Sequence, residues 1–129
     1  MKKEIVIASS APRQRHKIPQ ATKFGDLVFT SGIAPRDPRT GEPLHGDIAS
    51  QVRQALETLK TVLEAAGTGL DNVLKLTCYL RDMKDFEVWN GVFHEYFGQN
   101  PPARMTFQVP LVYFPIEVDA IACIPGEES

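Results

Sequence analysis

The sequence predicts an α+β sandwich in which both helices pack on one face of a sheet. Apolar segments with strand-like and helix-like spacing follow one another in the order β, β, α, β, α, β, β. All ten prolines lie outside the two segments with helical spacing, so no proline breaks either predicted helix. A chain of 129 residues can bury a sizeable core, and we expect residues 1–129 to form a single domain.

The first half of the chain predicts two short strands and a helix. Residues 4–8 form the first strand, and residues 27–31 form the second, between glycine-containing turns. A proline- and glycine-rich loop follows over residues 34–46, and loops of this length are often functional or covered by a partner. Asp47 is placed to cap a helix whose apolar residues recur at three- and four-residue intervals, and Gly67 is placed to end it.

The second half predicts a strand, a second helix and two further strands. An aromatic stripe over about residues 85–97 indicates the helix. Apolar segments near residues 103–109 and 116–124 predict an antiparallel pair of strands joined by a short, proline-flanked loop. Residues 73–80 are typical of a strand, and alternation places four of their side chains on one face: Leu74, Leu76, Cys78 and Leu80.

Composition and charge argue against several classes of function. A net charge of -2 and a pI of about 5.9 give no electrostatic reason to expect a nucleic acid or a membrane as partner. The histidines have no metal-ligand spacing, so we expect no metal site. Cys78 and Cys123 are expected to be buried free thiols, and the N-terminal apolar run is too short for a secretion leader. These features predict a cytoplasmic protein.

Charged residues occur in the last two predicted strands, where a purely structural strand would not need them. Alternation places Arg104 and Thr106 on one face of their strand, and Glu117 and Asp119 share a face of theirs. If the register of the predicted pair aligns the two polar sets, the arginine and the carboxylates converge. A one-residue slip would separate them.

Two interpretations of these charges remain open from the residues alone. In the first, Arg104 forms an internal ion pair with Glu117 or with Asp119. In the second, its guanidinium presents two parallel donors to a substrate carboxylate, and a nearby acid holds a water or transfers protons.

Two further features bear on assembly and on the site. The sheet face without helices is too apolar for water, which suggests that another subunit covers it in a symmetric homo-oligomer. Asn90 and Gly91 interrupt the second helix, where glycine is unfavourable. Close helix packing is the favoured reason, and the alternative is that Asn90 reaches toward a site.

Seven short segments, in matching order and spacing, identify a family resemblance. The chain resembles the RidA/YjgF family of reactive-intermediate deaminases over nearly its whole length. The matching segments are residues 25–32 (GDLVFTSG), 47–56 (DIASQVRQAL), 63–67 (LEAAG), 73–77 (VLKLT), 83–90 (MKDFEVWN), 102–104 (PAR) and 117–122 (EVDAIA).

The resemblance implies a chorismate-mutase-like fold with a mixed, mostly antiparallel sheet, assembled as a homotrimer with clefts between subunits. It also implies hydrolysis of enamine and imine acids, such as 2-aminoacrylate or 2-iminobutanoate, to 2-oxo acids and ammonia. Neither a metal nor an organic cofactor is implied. The family's carboxylate-binding arginine falls on Arg104, and its water-positioning glutamate falls on Glu117.

Other positions of the family site are also matched. Thr106 takes a position whose backbone contributes to the cleft, and Ser31, Gly32 and Asn90 match positions that line or support it. Ile18 is the departure, because it stands where the family commonly has a tyrosine.

Two alternative functions follow from this comparison with the family. Ile18, together with Tyr113 and Phe114 in the loop before the last strand, favours a pathway-specific deaminase of a larger enamine, such as an aminomuconate-like acid. The other alternative is a non-catalytic regulatory protein that binds a 2-oxo acid on the same scaffold.

Overall fold

The computed structural model describes residues 1–126 as a six-stranded sheet with two helices. The helices are α1 (Ile48–Ala65) and α2 (Phe86–Phe97). The strands are β1 (Glu4–Val6), β2 (Ala21–Phe24), β3 (Leu27–Thr30), β4 (Val73–Leu80), β5 (Ala103–Gln108) and β6 (Ile116–Cys123). Their order across the sheet is β1-β2-β3-β6-β4-β5, and only the β4–β5 pair is parallel. The predicted mixed, mostly antiparallel sheet is therefore confirmed.

The ends of the first helix follow the predicted caps. The Asp47 carboxylate accepts a hydrogen bond from the Ser50 backbone N–H at 2.8 Å, which satisfies one of the unpaired donors of the first turn. Gly67 adopts φ +97°, a left-handed conformation that glycine reaches without steric cost, and the helix ends there.

Strand β2 is absent from the sequence prediction. Phe24 pairs with Leu27 across a two-residue turn, so β2 and β3 form a hairpin. The turn begins at Gly25, whose φ of +59° suits the tight turns that join antiparallel strands. The sequence contained this signal, but β2 has only four residues and its apolar pattern is too short to identify it.

The predicted pairing of the last two strands is wrong. β5 lies parallel to β4, and β6 lies antiparallel to β4 on its other side, so β4 separates the two. The reason is the crossover through α2, since a helix between two strands places them parallel and side by side. The segment that follows β5 crosses the end of β4, where the Arg81 N–H donates to Pro115 O at 3.0 Å.

One face assignment in β4 is also wrong. The register between β4 and β6 shifts between Val73 and Lys75, which is the signature of a bulge. The shift turns Val73 into the core and leaves Leu74 48% exposed on the other side. Simple alternation fails at that point, whereas Leu76, Cys78 and Leu80 share one face as predicted, and that face is buried.

The two faces of the sheet differ sharply in exposure. On the inner face, against the helices, β6 contributes a fully buried row of alternate residues: Ile116, Val118, Ala120 and Ala122. On the outer face no helix packs, and large apolar side chains of four strands are 39% to 63% exposed: Ile5, Phe24, Leu27, Phe29, Met105 and Phe107. No helix within residues 1–126 is long and apolar enough to cross a membrane.

Candidate functional site

Arg104 lies on β5, an edge strand of the sheet, and its side chain is on the face that packs against the helices. It pairs with Leu76 of the neighbouring strand, which is fully buried on the inner face. Its Nη1 donates a hydrogen bond to Asn90 Oδ1 of α2 at 2.8 Å. Asn90 therefore reaches the predicted site. A Cβ at Gly91 would meet nothing within 4 Å, so the favoured explanation of close helix packing is wrong.

An aromatic cradle surrounds the Arg104 guanidinium. Its central carbon lies 4.5 Å from the ring centroid of Phe93, 5.7 Å from that of Phe86 and 5.9 Å from that of Trp89. Aromatic faces attract a cation and replace part of its hydration. Trp89 is itself fixed, because its Nε1–H donates to Thr106 Oγ1 at 3.1 Å. Thr106 thus supports the site by holding one wall of the cradle.

Neither predicted internal ion pair forms within residues 1–126. The ion pairs there are Arg39–Asp37 at 3.8 Å and Arg53–Glu95 at 3.0 Å, so Arg104 has no carboxylate partner in the described part of the chain. Asp119 instead accepts a hydrogen bond from the Tyr79 hydroxyl at 2.6 Å. This bond raises the pKa of Tyr79 to about 12, because losing the proton would place two negative charges side by side.

Arg104 and Glu117 do not converge within one chain. In the ladder, Arg104 stands in a row with Leu76 and Ala120, both buried on the inner face. Glu117 stands in a row with Tyr79, three residues further along the same central strand, and therefore on the outer face. The expected convergence depended on direct pairing of β5 with β6. Because β4 lies between these two strands, its register with each of them places Arg104 and Glu117 on opposite faces.

Glu117 lies next to the segment that follows β3, residues 31–33. Ile33 and Val118 exchange two backbone hydrogen bonds, of 2.7 and 3.0 Å, which bring the segment against β6. A Cβ on Gly32 would lie only 3.3 Å from Glu117 Oε2, so glycine leaves the carboxylate its space. The Gly32 carbonyl accepts from Gln14 Nε2 at 2.9 Å.

The environment of Glu117 shifts the pKa of its carboxyl group. Burial raises the pKa of the Glu117 carboxyl above its ordinary value, and the negative charge of Asp119 adds to that rise. The nearby guanidinium of Arg36 acts in the opposite direction. A carboxyl group with a raised pKa is better matched to proton transfer near neutrality than an ordinary surface acid.

The other two predicted site residues are Ser31, which precedes Gly32, and Ile18. The Ser31 hydroxyl donates to Pro19 O at 2.7 Å, and its N–H donates to Gln20 O at 2.9 Å, so Ser31 ties the preceding segment to β3. Ile18 adjoins that segment and is 47% exposed. Ser31 therefore has a supporting role here, and Ile18 presents an apolar surface to solvent.

Sequence reasoning missed two parts of this arrangement. The aromatic stripe of α2 indicated a helix, but its role as a cradle for Arg104 depends on the parallel pairing of β4 and β5. Arg36 was also missed, although it lies in the loop whose length already suggested a function. It lines the cleft beside Glu117 together with Gln14 and Gly32. No group of three metal-ligating side chains occurs among residues 1–126.

Comparison with known sequences gives a consistent set of relatives. A family model described as Endoribonuclease L-PSP matches residues 8–124. A RutC family protein of Pyrococcus horikoshii is 45% identical, covering 93% of this chain and 97% of its own. The 3-aminoacrylate deaminase RutC of Acinetobacter baylyi is 39% identical over 87% of this chain and 89% of its own. Reactive Intermediate Deaminase A of Arabidopsis thaliana is 34% identical over 96% of this chain and 67% of its own.

Comparison with solved structures gives the same result. The crystal structure of the YjgF gene product of E. coli matches with a TM-score of 0.87 and 31% identity. The match covers 93% of this chain and 98% of that one. The chorismate-mutase-like α+β fold implied by the resemblance is thereby confirmed.

Proposed function

Because the chain belongs to the RidA/YjgF family of Endoribonuclease L-PSP proteins, we propose that it hydrolyses 2-imino acids and their enamine tautomers to 2-oxo acids and ammonia. Two relatives with related sequences are named deaminases. The net charge of -2 does not favour an RNA substrate, since nucleic-acid binding relies on a basic surface.

The observation that carries this proposal is the state of Arg104. Its guanidinium is held by Asn90 and by the aromatic cradle, yet no carboxylate within residues 1–126 neutralises it. A pre-oriented, partly buried arginine of this kind is suited to bind a carboxylate through two parallel hydrogen bonds. The α-carboxylate of a 2-imino acid is such a group.

The complete site is proposed to form between protomers of a homotrimer. Arg104 lies on the open edge strand, and Glu117 lies on the outer face, so a second protomer can bring its Glu117 to the Arg104 of the first. The exposed apolar side chains of the outer face, Phe29 and Met105 among them, supply surface for such an assembly. Each cleft would then contain one residue from each of two subunits.

The proposed reaction needs one water molecule and one proton carrier. An enamine substrate first becomes the imine by transfer of a proton from its nitrogen to its β carbon. Arg104 binds the α-carboxylate, and Glu117 holds the water next to the imine carbon. The water oxygen adds to that carbon while Glu117 passes the released proton to the nitrogen, which gives a carbinolamine. Glu117 then moves the hydroxyl proton to the amine, the C–N bond breaks, and the carbonyl forms as ammonia leaves. The scheme includes no metal and no organic cofactor.

The test is ammonia release from 2-aminoacrylate generated in situ, with the uncatalysed rate subtracted. Arg104→Ala should lower the enzymatic rate at least about tenfold, the loss expected when a hydrogen bond to a charged group is removed. Arg53→Ala is the matched control, because Arg53 forms a surface ion pair with Glu95 and should leave the rate unchanged. Full activity of Arg104→Ala would refute the role of Arg104.

A larger enamine acid is the second candidate substrate, and Ile18 favours it. An apolar side chain that is 47% exposed can pack against a longer hydrocarbon chain, whereas a tyrosine hydroxyl would bind a short polar substrate. A strong preference for 2-iminobutanoate over longer imino acids would count against this candidate.

Binding of 2-oxobutanoate without turnover of any imine would instead identify a regulatory protein. We propose a cytoplasmic location, which suits the free thiols of Cys78 and Cys123.

A further inference from the structure

A second arginine faces the cleft that contains Glu117. Arg36 lines both parts of this cleft: the part beside Gly32, and an open part of about 620 Å³ that also contains Arg15 and the loop before β6. Arg36 is half-buried, whereas Arg15 is exposed at the rim. The proposed function uses neither of these arginines.

The Arg36 side chain is held in a defined position. Its Nη1 donates to Gly41 O at 2.9 Å, and its guanidinium lies 4.8 Å from the ring centroid of Phe114, which is buried. The surrounding loop is closed by a bridge between Arg36 and Pro43. A guanidinium that is stacked and anchored at one nitrogen keeps its remaining donors oriented, so little freedom is lost when it binds a ligand.

Arg36 has no ion-pair partner in the described part of the chain. Glu117 is the carboxylate that shares both parts of the cleft with it. Burial lowers the pKa of Arg36 and the positive charge of Arg15 lowers it further, whereas the carboxylates of Glu117 and Glu42 act in the opposite direction. An anion placed between the two arginines would relieve their repulsion.

The backbone next to this cleft is strained. His16 and Lys17 both have φ near +60°, a left-handed conformation that residues with a Cβ seldom adopt. Strain of this kind persists only where the surroundings impose it, and it is concentrated at functional sites. Here the helical turn Arg15–Lys17 contributes Arg15 and His16 to the lining of the same cleft as Arg36.

We propose that Arg36, assisted by Arg15, binds a second acidic group of the substrate, so that the protein acts on 2-imino dicarboxylates. This inference rests on the proposed function. Arg104 of one protomer would bind the α-carboxylate, Glu117 of the next would act at the imine carbon, and Arg36 beside it would bind the distal carboxylate. The apolar wall formed by Leu111, Tyr113 and Phe114 would contact the methylene groups between them.

Binding of two product analogues tests this inference separately from catalysis. 2-Oxoglutarate and 2-oxopentanoate have the same number of carbons and differ by a terminal carboxylate in place of a methyl group. Isothermal titration calorimetry should show 2-oxoglutarate binding at least about tenfold more tightly to the wild type, as expected for a charge-assisted hydrogen bond. Equal affinities in the wild type would overturn the inference, whatever the behaviour of any variant.

Variants of three arginines show which side chain causes the preference for 2-oxoglutarate over 2-oxopentanoate. Arg36→Gln should abolish it, since glutamine keeps a donor for Gly41 but carries no charge, and Arg15→Gln should reduce it. Arg39→Gln is the matched control, because Arg39 is 86% exposed on the same loop and does not line this cleft. An unchanged preference in a folded Arg36→Gln variant would also overturn the inference.

Turnover separates the failure of this inference from failure of the proposed function. 2-Iminoglutarate and 2-iminopentanoate can be generated in situ from the corresponding amino acids by an amino-acid oxidase. Faster hydrolysis of 2-iminoglutarate, with the difference lost in Arg36→Gln, supports both conclusions. Equal acceleration of both imines supports the deaminase and overturns the role of Arg36. Preferential binding of 2-oxoglutarate with no acceleration of either imine overturns the deaminase and supports the role of Arg36 as an anion site.

Discussion

Arg104 and Glu117 lie on opposite faces of one sheet, on strands that are separated by β4. A substrate cannot contact both side chains of the same chain through the sheet. Joint action of these two residues on one substrate therefore requires a second protomer. If both act on one substrate, the cleft is shared between protomers.

Complementation between two impaired variants tests the shared cleft. Arg104→Ala and Glu117→Gln alone should each retain at most about a tenth of the wild-type rate. When the two are unfolded together and refolded as a mixture, random assortment leaves about one quarter of the clefts with both groups intact. We therefore expect about a quarter of the wild-type rate of ammonia release in the mixture.

The control for complementation is a mixture of the two variants refolded separately and combined without exchange. The separately refolded mixture should keep the low rate of ammonia release of the single variants. A co-refolded mixture with an equally low rate, although it forms trimers by light scattering, would show that one chain supplies both groups.

Gly32→Ala should damage catalysis without damaging the fold. The new Cβ would lie 3.3 Å from Glu117 Oε2, so the carboxylate must move by a few tenths of an ångström. Misplacement of a catalytic group is costly because the reacting atoms need close alignment. We expect a clear fall in kcat with little change in Tm.

Gly91→Ala is the glycine control. A Cβ there meets nothing within 4 Å, and alanine in a helix interior is more favourable than glycine by about 1 kcal/mol. This variant should have a higher Tm and wild-type kcat. A loss of activity as large as that of Gly32→Ala would mean that the effect is not specific to the space around Glu117.

The pKa of Glu117 should move in opposite directions in two variants. Asp119→Asn removes a like charge, which makes ionisation easier and lowers the pKa of Glu117. Arg36→Gln removes an opposite charge, which makes ionisation harder and raises it. Carbon-13 NMR titration of the labelled carboxyl group measures both shifts, and shifts of the same sign would contradict this electrostatic arrangement.

Glu117→Gln should stabilise the protein at neutral pH. The folded state raises the pKa of Glu117 mainly through burial, so folding disfavours its charged form. This unfavourable contribution is fully present above the folded pKa and disappears as the pH falls below the unfolded value of about 4.3. The variant should therefore have a higher Tm than the wild type at pH 8.

The Tm difference between Glu117→Gln and the wild type, measured at lower pH, checks whether the carboxylate of Glu117 destabilises the fold. The difference in Tm should narrow as the pH falls toward 4, because protonated glutamic acid and glutamine are both neutral. A Tm of Glu117→Gln that lies below the wild-type value at pH 8 and approaches it on acidification would show that the carboxylate of Glu117 stabilises the fold.

Several local features follow from the sequence alone. Asp47 and Gly67 bound α1 because capping depends on residues close in the chain. The limits of β4 agree with the apolar run from which they were predicted. Charge in apolar strands, together with the family resemblance, also predicts Arg104 and Glu117 as site residues, and their roles stay a prediction.

The tertiary structure alone decided which residues meet. Alternation shows which side chains share a face within one strand, but it contains no information on which strand lies next to which. The crossover through α2 placed β5 beside β4, which put Arg104 against Phe93 and away from Glu117. The loop from β3 placed Arg36 beside Glu117, more than eighty residues away in the chain. Local patterns determine helices, strands and caps, whereas the cleft depends on contacts between distant segments, and those are settled by the packing of the whole sheet.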